Sequence, residues 1–328
     1  MANASGTPER GRVIAGWLIL LGLIIAGFIA TVVTLNQTVF SAQGFVTHYL
    51  EALERRDVPA ALATEGVTAV EGASDSLLAP DALGELSDID IVAEEVFPDV
   101  RVVTVAYTLD GVAGETEFFV EPSGNRFGLF YGWSFARSPI SVLEVTPLHA
   151  AEFTVNGIRL SSAGANQPSA WQVLTPSRYV LSHDSRYLTA TDVPVRVTTP
   201  NSIVPAEVDV QASAEFVSQL QDEVDSFLQD CAAQQVLFPS GCPFGLPIDD
   251  RVESAPQWSI AEHPVISLVP GDTSDVWVAP ETAGVAHLSV EVRSLFDGSL
   301  SRVEEDVPFT ISWAVTLRED GGVSIDVL

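Results

Sequence analysis

VIAGWLILLGLIIAGFIATVV, residues 13–33, is a run of 21 residues without a charge, and no Asp, Glu, Lys or Arg stands between Arg12 and Glu51. A helix rises about 1.5 Å per residue, so a run of this length matches a hydrocarbon core of about 30 Å. A cleaved signal peptide has a shorter apolar region, about 7–15 residues, followed by a small-x-small site. Here Phe40 is bulky where cleavage after Ala42 needs a small residue, and no lipobox cysteine is present. The run therefore predicts an uncleaved transmembrane helix over residues 13–35, in contact with membrane lipid, behind a tail of residues 1–12. Arg10 and Arg12 precede it, whereas the first basic residues beyond it are Arg55 and Arg56. The positive-inside rule then puts the N-terminus in the cytoplasm and the C-terminal bulk outside, in a single-pass topology at the cell membrane. Gly22, Ala26 and Ala30 form a small-xxx-small face that permits a weak homodimer, although small residues are common in any membrane helix.

Composition narrows the chemistry. The 328 residues carry 44 Asp+Glu against 15 Lys+Arg, a net charge of −29, and every basic residue is arginine. Without lysine there is no P-loop lysine, Schiff-base lysine or Ser–Lys dyad. Nucleic acid is not an expected partner, because phosphate contacts need clustered positive charge. The hydrophobic fraction of 47% is enough for packed cores.

Beyond the span, FVTHYLEALERRD reads as an amphipathic helix with Phe45, Val46, Tyr49, Leu50 and Leu53 on one face. A short helix opening at Val58-Pro59 and closed by Gly66 follows, then a Ser/Asp/Ala-rich loop over Glu71–Pro80. From Ile89 the period changes to two. IDIVAEEVF, RVVTVAYTL and ETEFFVEP read as strands, with turns at Pro98-Asp99 and Asp110-Gly111. Residues 144–206 show no helical signal; they alternate apolar and polar residues and carry an Asn156-Gly157 hairpin dipeptide. A helix restarts after Ser213, an N-cap residue, with Phe216, Val217, Leu220, Val224, Phe227 and Leu228 on one face. Five strand-like runs close the chain: QWSIAEHPVISLV, SDVWVAP, VAHLSVEVRSLF, EDVPFTISWAVTLRE and VSIDVL, with hairpin signals at Asp297-Gly298 and Asp320-Gly321-Gly322. The predicted class is α+β: a transmembrane helix, then two helix-plus-curved-antiparallel-sheet domains, 40–143 and 207–328, flanking a small all-β sandwich.

Cys231 and Cys242 are the two cysteines of the chain, both in the part expected outside the cytoplasm, where a close pair is most often a disulfide. Cys231 ends the helix, and Pro239, Gly241 and Pro243 keep Cys242 in a loop.

The T-V-N-G hairpin at 154–157 followed by LTPSRYVL and Tyr187 resembles the PEGA surface modules, with Ser177-Arg178 where glycine is usual. The wider immunoglobulin-like class is also a fair description. A helix lying in a strongly curved antiparallel sheet resembles the nuclear transport factor 2-like cone. Extracytoplasmic copies of that fold stand behind single anchors in bacterial envelope proteins, including penicillin-binding proteins and the teicoplanin-resistance-associated membrane protein. The arrangement as a whole resembles a family of anchored extracytoplasmic proteins of high-GC Gram-positive bacteria, and the phrase from Phe227 to Phe244 carries that likeness. The resemblance implies a cell-envelope role.

No catalytic constellation is legible. The histidines at 48, 149, 183, 263 and 287 have no second His or acidic residue at zinc-site spacing. Gly132-Trp133-Ser134-Phe135-Ala136 lacks the closing glycine of a nucleophile elbow and leaves along an extended segment. Glu94-Glu95, Asp249-Asp250 and Glu304-Glu305-Asp306 lack EF-hand spacing and read as solvated faces. A cone can enclose a pocket whose mouth collects aromatics: Tyr131, Trp133 and Phe135 in the first unit, and Trp258, Trp277 and Trp313 in the last. The same rings also serve as core. The expectation is a non-catalytic, cofactor-free and metal-free envelope protein that binds or scaffolds a cell-wall polymer or another membrane protein. The alternative is a small-ligand receptor or enzyme using a cone pocket.

Overall fold

The computed structural model describes residues 8–126, 128–318 and 322–327, with side chains left out at 8–13, 126, 326 and 327. The expected turn at Asp320-Gly321, the tail before Pro8 and the side chains of Arg10 and Arg12 lie outside that description. The architecture is α+β, with one apolar N-terminal helix and a sheet curled into a half-barrel.

Helix α1 runs Pro8–Gln37, two residues beyond the expected end of the span. Within it, Ile14–Gln37 has a mean hydropathy of 2.8 in its most apolar window, none of which is buried by protein. An exposed helix of that length and composition is compatible with a single-pass membrane anchor.

Helix α2, Ala42–Glu54, starts where the Ser41 side chain accepts from the Gly44 N–H, and it buries Val46, Tyr49, Leu50 and Leu53. Helix α3, Val58–Leu62, is capped by Asp57. The chain then turns at Gly66, whose φ of +85° and closeness to the Phe135 backbone leave no room for a Cβ. Strands β1 (Leu86–Val96), β2 (Arg101–Leu109), β3 (Val112–Arg126) and β4 (Phe130–Phe135) form an antiparallel meander in that order. The β2–β3 turn has Asp110 at φ 47° and Gly111 at φ 77°, as its Asp-Gly dipeptide predicts.

Strand β5 (Ile140–Leu148) leaves this unit and pairs antiparallel with β8 (Ser169–Leu174) and parallel with β11 (Ile203–Asp209). Between them, β6 (Glu152–Val155), β7 (Ile158–Ser161), β9 (Ser177–Asp184) and β10 (Leu188–Val197) join β12 (Gln211–Ala212) in a five-stranded sheet. The two sheets face each other, with Phe153 edge-on to Trp171 at 5.2 Å. Positions 144 and 206, expected as module limits, fall inside β5 and β11; the parallel pair carries the sandwich out to 140 and 209.

Helix α4, Ala214–Ala232, is capped by Ser213 and buries Phe216, Leu220, Val224, Leu228 and Cys231, one residue per turn. Its last residues are tied back by the Cys231–Cys242 disulfide. The final sheet contains β13 (Arg251–Val252), β14 (Gln257–Glu262), β15 (Val269–Pro270), β16 (Val276–Arg293), β17 (Leu300–Leu317) and β18 (Val323–Val327). SDVWVAP and VAHLSVEVRSLF, read from sequence as two runs, are one 18-residue strand. Pro280 looks like a break because it has no N–H to give, but it sits in a bulge between Ala279 and Thr282, where no ladder donor is needed.

Two cores result. One lies in the first unit; the other is shared by the sandwich and the last unit, where Phe216 of α4 meets Tyr187 at 5.1 Å and Trp277 at 6.5 Å. Polar bonds join the first unit to the sandwich: the fully buried Tyr49 hydroxyl donates to Thr175 O at 2.9 Å, and the Thr116 hydroxyl donates to Thr198 O at 2.7 Å.

Candidate functional site

A groove of about 1120 Å³ lies at the foot of the first unit. It runs from Gln37 at the end of α1, past Val39 and Phe40, along α2 to Ala60 and Ala63, with Ile91, Tyr131 and Trp133 as its sheet wall. Local bonds fix this wall. Trp133 is held in plane by its Nε1–H donating to Phe40 O at 2.9 Å, while the Arg101 guanidinium lies 4.8 Å over its ring. Glu94 anchors that guanidinium at 2.7 Å and also accepts from Gln43 Nε2 at 2.8 Å. The polar groups of the groove include His48, Glu51 and Glu65. A mixed lining of aromatic surface and a few polar groups suits an amphipathic ligand.

Of the six aromatics singled out from sequence, Tyr131 and Trp133 come together in this groove. Phe135 instead packs among Phe45, Tyr49 and Phe118 at ring distances of 4.9 to 5.9 Å. Trp258, Trp277 and Trp313 sit in the core of the last unit, each less than a tenth exposed. Trp258 donates to Val236 O at 2.8 Å and packs on Phe244; Trp313 meets Phe227 at 5.6 Å. Gly132 to Phe135 form the end of β4, an ordinary strand, and Ala136 lies in the bend beyond it.

Two smaller hollows lie elsewhere. One, of about 510 Å³, is floored by Cys242, Pro243 and Phe227 beside the β16 bulge. The other, of about 690 Å³ in the sandwich, is polar, with Ser74, Ser161, Ser169, Glu144 and Arg159.

The β16–β17 register assembles one cluster that residue spacing does not reveal. His287 stands opposite Asp306, and Ser289 opposite Glu304. His287 Nδ1 is 2.7 Å from Asp306 and its Nε2 2.9 Å from Glu304, whose other oxygen accepts from Ser289 at 2.9 Å. These hydrogen bonds, Asp306 first and Glu304 second, push the imidazole pKa above its usual value and hold Glu304 below its own. With both ring nitrogens on carboxylates, and the hydroxyl on Glu304, the cluster has no nucleophile–base pair. The visible signal was the alternation His-x-Ser and Glu-x-Asp, which becomes meaningful only once the register is fixed. Among the described residues no group of three or more His, Cys, Asp or Glu is arranged to hold a metal ion.

The chain matches no family model, no curated protein and no solved structure.

Proposed function

We propose that this is a single-pass membrane protein of the cell envelope, N-terminus in the cytoplasm, whose exported units bind or scaffold a partner without chemistry of their own. The partner class is a cell-wall polymer or another membrane protein, and the modules are of nuclear transport factor 2-like and PEGA or immunoglobulin-like type. One observation supports this reading above others. The apolar helix is not joined to the rest by a loose linker: only four residues separate α1 from α2, and Asn36 and Phe40 bond to or stack on β4. A rigid mount of that kind suits a protein that presents binding surfaces at a set height above a membrane. Crosslinking in intact cells, followed by identification of what the units touch, tests it. Recovery of one polymer or protein, lost when an exposed face is recharged, supports the proposal.

The foot groove favours a second reading, a receptor or enzyme for a small amphipathic ligand. Turnover of peptidoglycan fragments, lost on Glu51→Gln or Glu65→Gln, would replace the scaffold reading with this one.

A further inference from the structure

The outer edge of the first sheet stands against the end of the apolar helix. Among the described residues strand β4 pairs with β3 alone, so its other edge presents main-chain groups that need partners, and need them most where water is scarce. Asn36, next to last in α1, supplies them. Its Nδ2 donates to Leu129 O at 3.0 Å, and its Oδ1 accepts from the Tyr131 N–H at 3.0 Å. One side-chain amide thus makes the two-way exchange of a neighbouring strand. Phe40 stacks on Phe130 with ring centroids 4.3 Å apart. Around these contacts the outward residues are apolar or amphipathic: Val39 is 61% exposed, Leu129 47% and Tyr131 55%. The β1–β2 turn lies at the same end of the sheet, since Val96 and Arg101 are partners and Arg101 in turn faces Val120 of β3. That turn exposes Val96 and Phe97.

The height of this edge follows from helix geometry. Ile14–Gln37 is 24 residues, about 36 Å of helix against a hydrocarbon core of about 30 Å. Its last turn therefore lies at the membrane surface, and a strand bonded to Asn36 can stand no farther away than one side chain. The apolar strip adjoins helix surface that no protein covers, and tyrosine is a residue of membrane interfaces. We infer that Leu129 and Tyr131 at the start of β4, with the adjoining Val39, form a second membrane contact lying among the lipid headgroups beside α1. It holds the first unit at a fixed tilt. The inference rests on the anchor reading, and its test separates the two.

The full chain is reconstituted into phosphatidylcholine–phosphatidylglycerol vesicles with one environment-sensitive fluorophore at an added cysteine, the native pair being disulfide-bonded. The positions are Leu129→Cys and Tyr131→Cys, with Val112→Cys at the far end of β3 as the aqueous reference and Leu21→Cys as the reference within the span. Quenching by lipids doxyl-labelled near the headgroup should be several-fold stronger at 129 and 131 than at 112, with iodide quenching in the opposite order. If 21 is quenched by deep doxyl groups while 129 and 131 respond to iodide as 112 does, the inference is overturned and the anchor stands. If 21 also responds as water-exposed, the anchor reading falls and this inference with it.

Discussion

Replacing Asn156 should break several hydrogen bonds of one turn at once. Asn156 opens the β6–β7 turn at φ +48°, a left-handed conformation that asparagine tolerates and alanine does not. Its N–H donates to Val180 O at 2.9 Å, and its Oδ1 accepts from the Val180 N–H at 2.7 Å, so a side-chain oxygen completes the exchange of an antiparallel pair. Its Nδ2 donates to Ala82 O at 2.7 Å and to Arg178 O at 3.1 Å, tying the sandwich to the short turn of helix before β1. Asn156→Ala removes three side-chain hydrogen bonds at about 1 kcal/mol each and adds about 1 kcal/mol of backbone strain. The site is half-buried, which trims the sum to about 3–4 kcal/mol. Asn156→Gly avoids the strain and should lose about 2–3 kcal/mol. Asn156→Asp keeps the acceptor but sets a carboxylate against two carbonyl oxygens, so it should be no milder than alanine. Guanidinium unfolding of the detergent-solubilised chain, followed by near-ultraviolet dichroism, measures all three. A loss below about 1 kcal/mol for alanine, or wild-type stability for aspartate, refutes the argument.

Other expectations follow from the same bonds. Reducing Cys231–Cys242, or replacing either residue with serine, opens a loop of sequence separation 11 and should lower stability by about 2–3 kcal/mol; two free thiols in exported material by non-reducing mass spectrometry would reject the native bond. The raised pKa of His287 means its contribution is complete below the ordinary imidazole value and fades as pH rises through the folded one. Glu304, held low by His287, contributes above its ordinary value and loses that on acidification. An NMR titration should place His287 above 6.5 and return Glu304 toward 4.5 in His287→Gln. Gly66→Ala sets a methyl against the Phe135 backbone at a φ of +85° and should cost at least about 2 kcal/mol by thermal melting; unchanged melting contradicts the close approach of Gly66 to the Phe135 backbone.

What the residues disclosed and what they hid divide along the range of the interactions. The faces of α2 and α4, the cap at Ser213, the Asp110-Gly111 and Asn156-Gly157 turns and the cysteine pair are settled within a dozen residues, and each was legible. The parallel pairing of Ile203–Asp209 with Val142–Leu148 joins segments some sixty residues apart, and no local pattern specifies it. Pro280 misled because a bulge depends on its partner strand as much as on itself. In the groove, Tyr131 and Trp133 were visible as aromatics. All three rings share one face of β4; Phe135 is separated from the groove by its place at the far end of the strand, where Phe45, Tyr49 and Phe118 close over it. The His287 cluster was hidden for a like reason: its carboxylates are 17 and 19 residues away in the chain.

The central claim, a cell-envelope protein held by one span with its bulk outside, is tested most directly by protease added to intact protoplasts. The account predicts that residues beyond Phe40 are digested while an epitope fused ahead of Met1 survives until the membrane is permeabilised. Protection of the C-terminal bulk in intact protoplasts, with loss of the N-terminal epitope, would contradict it.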